Sequence, residues 1–137
     1  RQFANDTQQP VPENAGQLVR CCLESLALCY STTLRQLEAT IDESIETLHL
    51  VGGGIQNELL NELTSAAIGK PVTVGPVEAT AIGNLLVQAI GCGELAGLGE
   101  LRSVVATSFS PQVVEPSERL PISALSERYE ELTSLSP

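Results

Sequence analysis

The stretch from Leu48 to Val74, LHLVGGGIQNELLNELTSAAIGKPVTV, constrains the fold of this chain more than any other. A short apolar run, Ile45 to Val51, ends in the consecutive glycines Gly52, Gly53 and Gly54. Leu59, Leu60, Leu63 and Ala67 then recur at helical spacing. Gly69 and Pro71 stop that helix, because glycine accepts positive φ at a helix end and proline cannot continue one. Pro71 to Val74 supplies a second apolar run. Strand, helix and strand within about thirty residues make a βαβ unit, with parallel strands and a right-handed crossover. The first strand is predicted to be buried on both faces, as strands of parallel sheets are.

Length and composition bound what surrounds this unit. The 137 residues suffice for one domain. With 3% aromatic residues, the core must be built from Leu, Ala, Val and Ile. No run reaches the roughly 20 apolar residues of a membrane span, and no signal-peptide pattern opens the chain. No membrane partner is expected, and the predicted location is cytoplasmic. The net charge of −10 argues against nucleic acid as a partner, since phosphates are neutralised by Lys and Arg. Lys70 is the only lysine, so an anion held here would be held by backbone N–H groups. The chain contains no methionine, which leads us to expect a piece of a longer polypeptide.

Cys21, Cys22, Cys29 and Cys92 form no C-x-x-C pair, and His49 is the single histidine. A zinc site needs clustered thiolates or imidazoles, so no metal ligand is assigned and the cysteines are expected to be small buried residues. His49, between Leu48 and Leu50, is expected to be a hydrogen-bonded interior histidine.

The spacing predicts a first long helix over 14–39, with Val19, Leu23, Leu26, Tyr30, Leu34 and Leu37 inward and Leu28 interrupting the polar side. The segment GPVEATAIGNLLVQAIGCG reads as a loop and a helix whose inward stripe is Ala79, Ile82, Leu86 and Ala89. Gly83 inside it costs up to about 1 kcal/mol against alanine and predicts a close approach by a neighbouring element. Glu78 and Thr80 read as a first-turn acid and capping partner. A short helix is predicted over 100–105. SFSPQVVEPSERLP reads as extended, and a terminal helix presents Ile122, Leu125, Tyr129 and Leu132 on one face, with Tyr129 as core anchor. Glu118, Glu127, Glu130 and Glu131 read as solvated. The core is expected over about 14–106, with 107–137 as extended segment and terminal helix. The fold class is therefore α/β. It looks partial: two strands make a thin sheet with an open edge, and the completing strands are expected before Arg1.

Where a strand ends in glycines and opens a helix, unpaired N–H groups lie at the positive end of the helix dipole, and ligands can approach the main chain closely. Open α/β sheets bind ligands at that edge. A P-loop is excluded, because no Lys-Ser or Lys-Thr follows the glycines. The dinucleotide fingerprint G-x-G-x-x-G is matched only to G-x-G-x-x-N, with Asn57 at the third glycine, and Glu78 follows Pro76 rather than closing a strand. Asn57 offers an amide suited to an adenine or ribose edge, or alternatively a helix cap.

VGGGIQNELLN, GKPV and GPVEATAIGN, with QPVPENAGQLVRCCLESLAL upstream and LRSVVATSFSPQVVEP downstream, resemble the C-terminal domain of the FGGY carbohydrate kinases. The resemblance runs from about Thr7 to Pro116. Within the family, PVPE together with VGGGIQN and GPVEATAIGN resembles the rhamnulokinase branch. The resemblance implies an actin-like, ribonuclease-H-like ATPase domain facing a cleft, with ATP and Mg²⁺, and a sugar substrate bound by the N-terminal part of the enzyme. It implies that Gly53 N–H faces the α-phosphate or ribose, that Asn57 reaches the adenine, and that Gly52 and Gly54 keep the turn open. The family's catalytic aspartate, D-x-G-T phosphate loops and Mg²⁺ contacts lie upstream in its pattern. No D-x-G-T occurs here, and neither Asp6 nor Asp42 is assigned to catalysis. This chain alone is expected to be inactive. Other FGGY kinases of xylulose, gluconate or fuculose type, a Rossmann-like domain and a non-catalytic nucleotide-binding module remain the alternatives.

Overall fold

Asparagine and glycine set the helix boundaries. Asn14 is extended, and its Oδ1 accepts a hydrogen bond from Gln17 N at 2.9 Å, opening the long helix α2 (Ala15–Ile41). Asp42, in the left-handed region at φ 54°, ends it. Asn57 caps α3 (Glu58–Ile68), and Gly69 at φ 68° closes that helix with its N–H on Ser65 O. In the computed structural model, which describes residues 2–134, these two helices frame β1 (Leu48–Leu50) and precede β2 (Val72–Val74). A short α1 (Gln2–Asp6) precedes them. After β2 come α4 (Ala79–Gly91), α5 (Leu98–Phe109), β3 (Gln112–Val114), a 3-10 turn over Ile122–Leu125, and α6 (Ser126–Ser134).

The βαβ unit is present as expected. β1 and β2 run parallel, with Leu48, His49 and Leu50 opposite Val72, Thr73 and Val74. The sheet has a third strand where only an extended segment was expected. β3 runs antiparallel to β2, with Val114, Val113 and Gln112 opposite Val72, Thr73 and Val74. β2 is thus central, and β1 is an edge strand among the described residues.

The core forms where α2 and α3 cross. Ala27, Leu28, Leu63, Ala66, Ala67 and Ile122 are buried together, with Leu23, Leu59, Leu120 and Tyr129 packed against them. This corrects the face expected of α2. Val19, Leu26, Tyr30 and Leu37 are exposed, while Ala27, Leu28, Ser31 and Leu34 are buried. The reason is close helix packing. Ala66 and Ala67 of α3 meet the small Ala27 and Ser31 of α2, and Ser31 Oγ donates to Ala67 O at 3.0 Å. The bulkier side chains are turned away from that contact. α2 is apolar on more than one side, so its period alone did not say which side is covered.

Other expectations are corrected as well. β1 is only half-buried, and His49 is exposed, because its face of the sheet borders an open groove against α4 and α5 rather than a packed layer. All four cysteines are exposed, lying on open faces of α2 and just past the end of α4. Gly83 borders the same groove, and a Cβ added there would meet nothing within 4 Å, so no close approach explains it. Glu78 precedes α4 without a side-chain cap. The helix expected over 100–105 extends over Leu98–Phe109. Leu125 of the terminal face is exposed, because its turn is 3-10 and not α-helical. Ile122 is 3% exposed, so the tail beyond residue 106 contributes to the core.

Polar clamps complete the packing. Ser65, fully buried, donates toward both Lys70 O and Val114 O at 2.9 Å, tying α3 to the chain on both sides of β2. Lys70 Nζ donates to Glu38 Oε1 at 2.6 Å and to Ile45 O at 2.8 Å, while Ile45 N–H donates to the same carboxylate oxygen at 2.8 Å. Both backbone polar groups of Ile45 are held three residues before β1. Lys70 first, and then the Ile45 N–H, hold the Glu38 carboxyl below its ordinary pKa. Among the described residues, no helix is long and apolar enough to cross a membrane.

Candidate functional site

The carboxyl ends of β1 and β2 lie side by side, and the candidate site is built on the turns that leave them. β1 leads through Val51 into Gly52, whose backbone sits at φ 88° and ψ −177°. That region is open to glycine and closed to side-chain-bearing residues. A single 3-10 turn over Gly53–Gln56 follows, and Asn57 then opens α3. Ile55 N–H returns to Gly52 O at 3.2 Å and Asn57 N–H to Gly54 O at 3.1 Å. Ile55 is buried and pins the turn to the body of the protein, with Asn61 Nδ2 donating to its carbonyl at 2.7 Å.

The four residues singled out in the sequence lie together, in different roles. Gly52 N–H is occupied, donating to Pro76 O at 3.4 Å. Gly53 and Gly54 N–H groups have no carbonyl partner among the described residues. A Cβ added to either of them would meet nothing within 4 Å. Packing therefore does not demand glycine at Gly53 or Gly54, and an incoming ligand would find both amides accessible. Asn57 is a helix cap: its Oδ1 accepts from Leu60 N–H at 3.1 Å. Gly53, Gly54, Gln56, Asn57 and Glu58 border one open depression. Neither lysine nor arginine lines it, and Glu58 places a carboxylate at its α3 side.

The sequence reading did not foresee how the second turn holds the first. Gly75 N–H donates to Leu50 O at 2.8 Å, directly before the glycine turn. A Cβ on Gly75 would lie 3.1 Å from Val51 Cγ1 and 3.4 Å from Leu50 O. The glycine of the GPVEATAIGN segment thus lets two βα turns sit against each other. The signal was present in that quoted segment, but only the pairing of β1 with β2 shows what Gly75 touches. His49 makes no part of this depression, but it lines a neighbouring apolar pocket together with Gly54, Ile55 and Asn61. Among the described residues, no group of three or more His, Cys, Asp or Glu could hold a metal ion.

Comparisons with known proteins agree with this geometry. The profile of the FGGY family of carbohydrate kinases, C-terminal domain, matches residues 2–92. Rhamnulokinase of Bacteroides thetaiotaomicron is 47% identical over 118 residues, covering 86% of this chain and 24% of that protein. Rhamnulokinase of Bacillus subtilis is 40% identical over 116 residues, covering 85% of this chain and 24% of that protein. The crystal structure of xylulose kinase from Rhodospirillum rubrum superposes with a TM-score of 0.66 at 19% identity, over 92% of this chain and 25% of that one. That likeness concerns the fold, and it fits a partial actin-like kinase domain. The chain thus spans about a quarter, 24%, of the length of the curated relatives it matches. Helix, strand, glycine turn, helix and strand fall within the matched region, and the chain belongs to the FGGY family of carbohydrate kinases, within its C-terminal domain.

Proposed function

We propose that this chain forms the nucleotide side of a sugar kinase that transfers the γ-phosphoryl group of ATP to the 1-hydroxyl of L-rhamnulose. The observation that carries the reading is the glycine turn: the accessible amides of Gly53 and Gly54, beside Asn57, at the carboxyl edge of a parallel strand pair in an FGGY domain. Gly53 N–H is positioned to donate to the ribose or α-phosphate, Gly52 supplies the backbone turn, Gly54 leaves room for the ligand, and Asn57 meets the base. The unpartnered amides, and the open space that an added Cβ would find at Gly53 and Gly54, support ATP on this surface. Metal, catalytic base and sugar contacts are assigned to the remaining, N-terminal part of the enzyme, and no step is derived through them. Phosphoryl transfer depends mostly on positioning and electrostatics, and this chain's share is to hold the nucleoside end of the donor still. The cytoplasm, where ATP is available, is the proposed location.

Calorimetric titration of the full-length protein with ATP and with NAD, followed by sugar-dependent ADP release, tests the reading. ATP binding and turnover with L-rhamnulose are expected. Turnover with a xylulose, gluconate or fuculose substrate instead would move the protein elsewhere in the family. Binding without turnover on any sugar would make it a nucleotide-binding module. The 137-residue chain alone is expected to release no ADP, and clear turnover by it would overturn that assignment.

A further inference from the structure

Gly75 is a glycine with no conformational reason to be one. Its φ lies outside the positive region that Gly52, Gly69, Gly93 and Gly97 occupy, so alanine fits its backbone. What excludes a side chain there is a neighbour. The parallel register that pairs Leu50 with Val74 sets Gly75 opposite Val51, one step beyond the strands. A Cβ at Gly75 would lie 3.1 Å from Val51 Cγ1 and 3.4 Å from Leu50 O. The first distance is well inside the roughly 3.5–4.0 Å at which two carbons rest in contact. Val51 is β-branched and stiff at χ1, so it yields less readily than an unbranched side chain. The two turns are also tied, because Gly75 N–H donates to Leu50 O at 2.8 Å and Gly52 N–H to Pro76 O at 3.4 Å. The longer of these bonds is the one at the glycine turn, so an added methyl group presses on Val51 and on the Gly52–Gly53 turn that follows it. Gly75 itself borders no part of the depression lined by Gly53, Gly54 and Asn57; it faces the groove against α4 and α5.

Resting on the nucleotide reading above, we infer that Gly75 is a positioning residue for ATP: by carrying no side chain, it lets the second βα turn lie against Val51 and so sets where the Gly53 and Gly54 amides point. It touches no part of the nucleotide. Phosphoryl transfer depends on how the donor is placed, so a small displacement of the turn is felt by ATP. The sugar, held by the N-terminal part of the enzyme, does not feel it.

The full-length protein tests this as wild type, Gly75→Ala, Val51→Ala and the double variant. Val51→Ala removes Cγ1, the atom that the new methyl group would meet, and Val51 is 56% exposed, so little packing is lost with it. Gly75→Ala is expected to raise the Kd and the KM for ATP about five- to tenfold, with the KM for the sugar within about twofold of wild type. Val51→Ala alone is expected to bind ATP within about twofold of wild type, and the double variant to recover to within about threefold. A glycine needed for stability alone would move the thermal midpoint and leave the ratio of the two KM values where it was. Wild-type ATP affinity in Gly75→Ala overturns the inference. So does a double variant as weak as Gly75→Ala, and so does a loss that falls equally on ATP and sugar, the mark of a damaged fold. Failure of wild type to bind ATP is a separate result: it overturns the nucleotide reading, and the inference with it.

Discussion

At Gly52 the backbone occupies φ 88° and ψ −177°, and Gly52→Ala is expected to cost about 1–3 kcal/mol of stability, read from the urea midpoint. Gly53 and Gly54 have no such constraint, and an added Cβ meets open space at each. Gly53→Ala is therefore expected to change stability by less than about 0.5 kcal/mol while weakening ATP binding, measured by denaturation and titration on the same sample. Three identical residues in sequence thus separate into one required by backbone conformation and two that neither backbone nor packing requires to be glycine. Sequence alone offered the turn and the four candidate positions, because glycines between an apolar run and a helical stripe have few other uses. It did not offer the commitment of the Asn57 oxygen to Leu60, since capping and ligand contact call for the same residue type. Gly75 was passed over for a related reason. Its neighbour is Val51, twenty-four positions away, and that contact exists only once the strands are paired.

Among the elements, α3 was the most legible and α2 the least. α3 has one apolar face, bounded by an asparagine and a glycine, and its period locates it. α2 carries apolar residues on two faces, and only the small residues of α3 decide which is covered. Leu28→Ala and Leu34→Ala are expected to destabilise by about 2–5 kcal/mol, while Leu26→Ala and Leu37→Ala, which are partly exposed, cost less. Comparable losses at all four positions would show the helix rotated from its place here. β3 escaped notice because its three residues, in a four-residue stretch between Pro111 and Pro116, carry too little pattern to separate a strand from an extended loop. The Glu38–Lys70 clamp links residues thirty-two apart, and spacing says nothing about such a pair. It makes stability depend on pH. The folded pKa of Glu38 is depressed, so its contribution is present above the ordinary carboxylate range and is lost as pH falls through the folded value. Acid titration of unfolding is expected to show that loss in wild type and a smaller one in Lys70→Met, where the Ile45 N–H still holds the carboxylate.

For the whole molecule, the α/β class and the βαβ unit followed from punctuation by glycine and proline, and the family resemblance reached the same domain that the profile matches. The tail was understated. Ile122 is among the most buried apolar residues, so Ile122→Ala is expected to cost about 2–5 kcal/mol although it lies outside the expected 14–106 core, which equilibrium denaturation would measure. Arg35 of α2 pairs with Glu130 of α6, and Arg128 of α6 donates to Thr7 O at 2.8 Å. The last helix is therefore fastened both to the longest helix and to the arm that follows the first. These fastenings have a mechanical meaning. A pulling force applied at the two ends reaches the Arg128–Thr7 bond first and the Arg35–Glu130 pair next. Both are exposed side-chain contacts and are loaded one after another, as a zipper is, while the β1–β2–β3 ladder bears load only after α6 has peeled away. Stretched between residues 2 and 134, this segment should yield in two steps, a soft one at α6 and a stiffer one at its sheet.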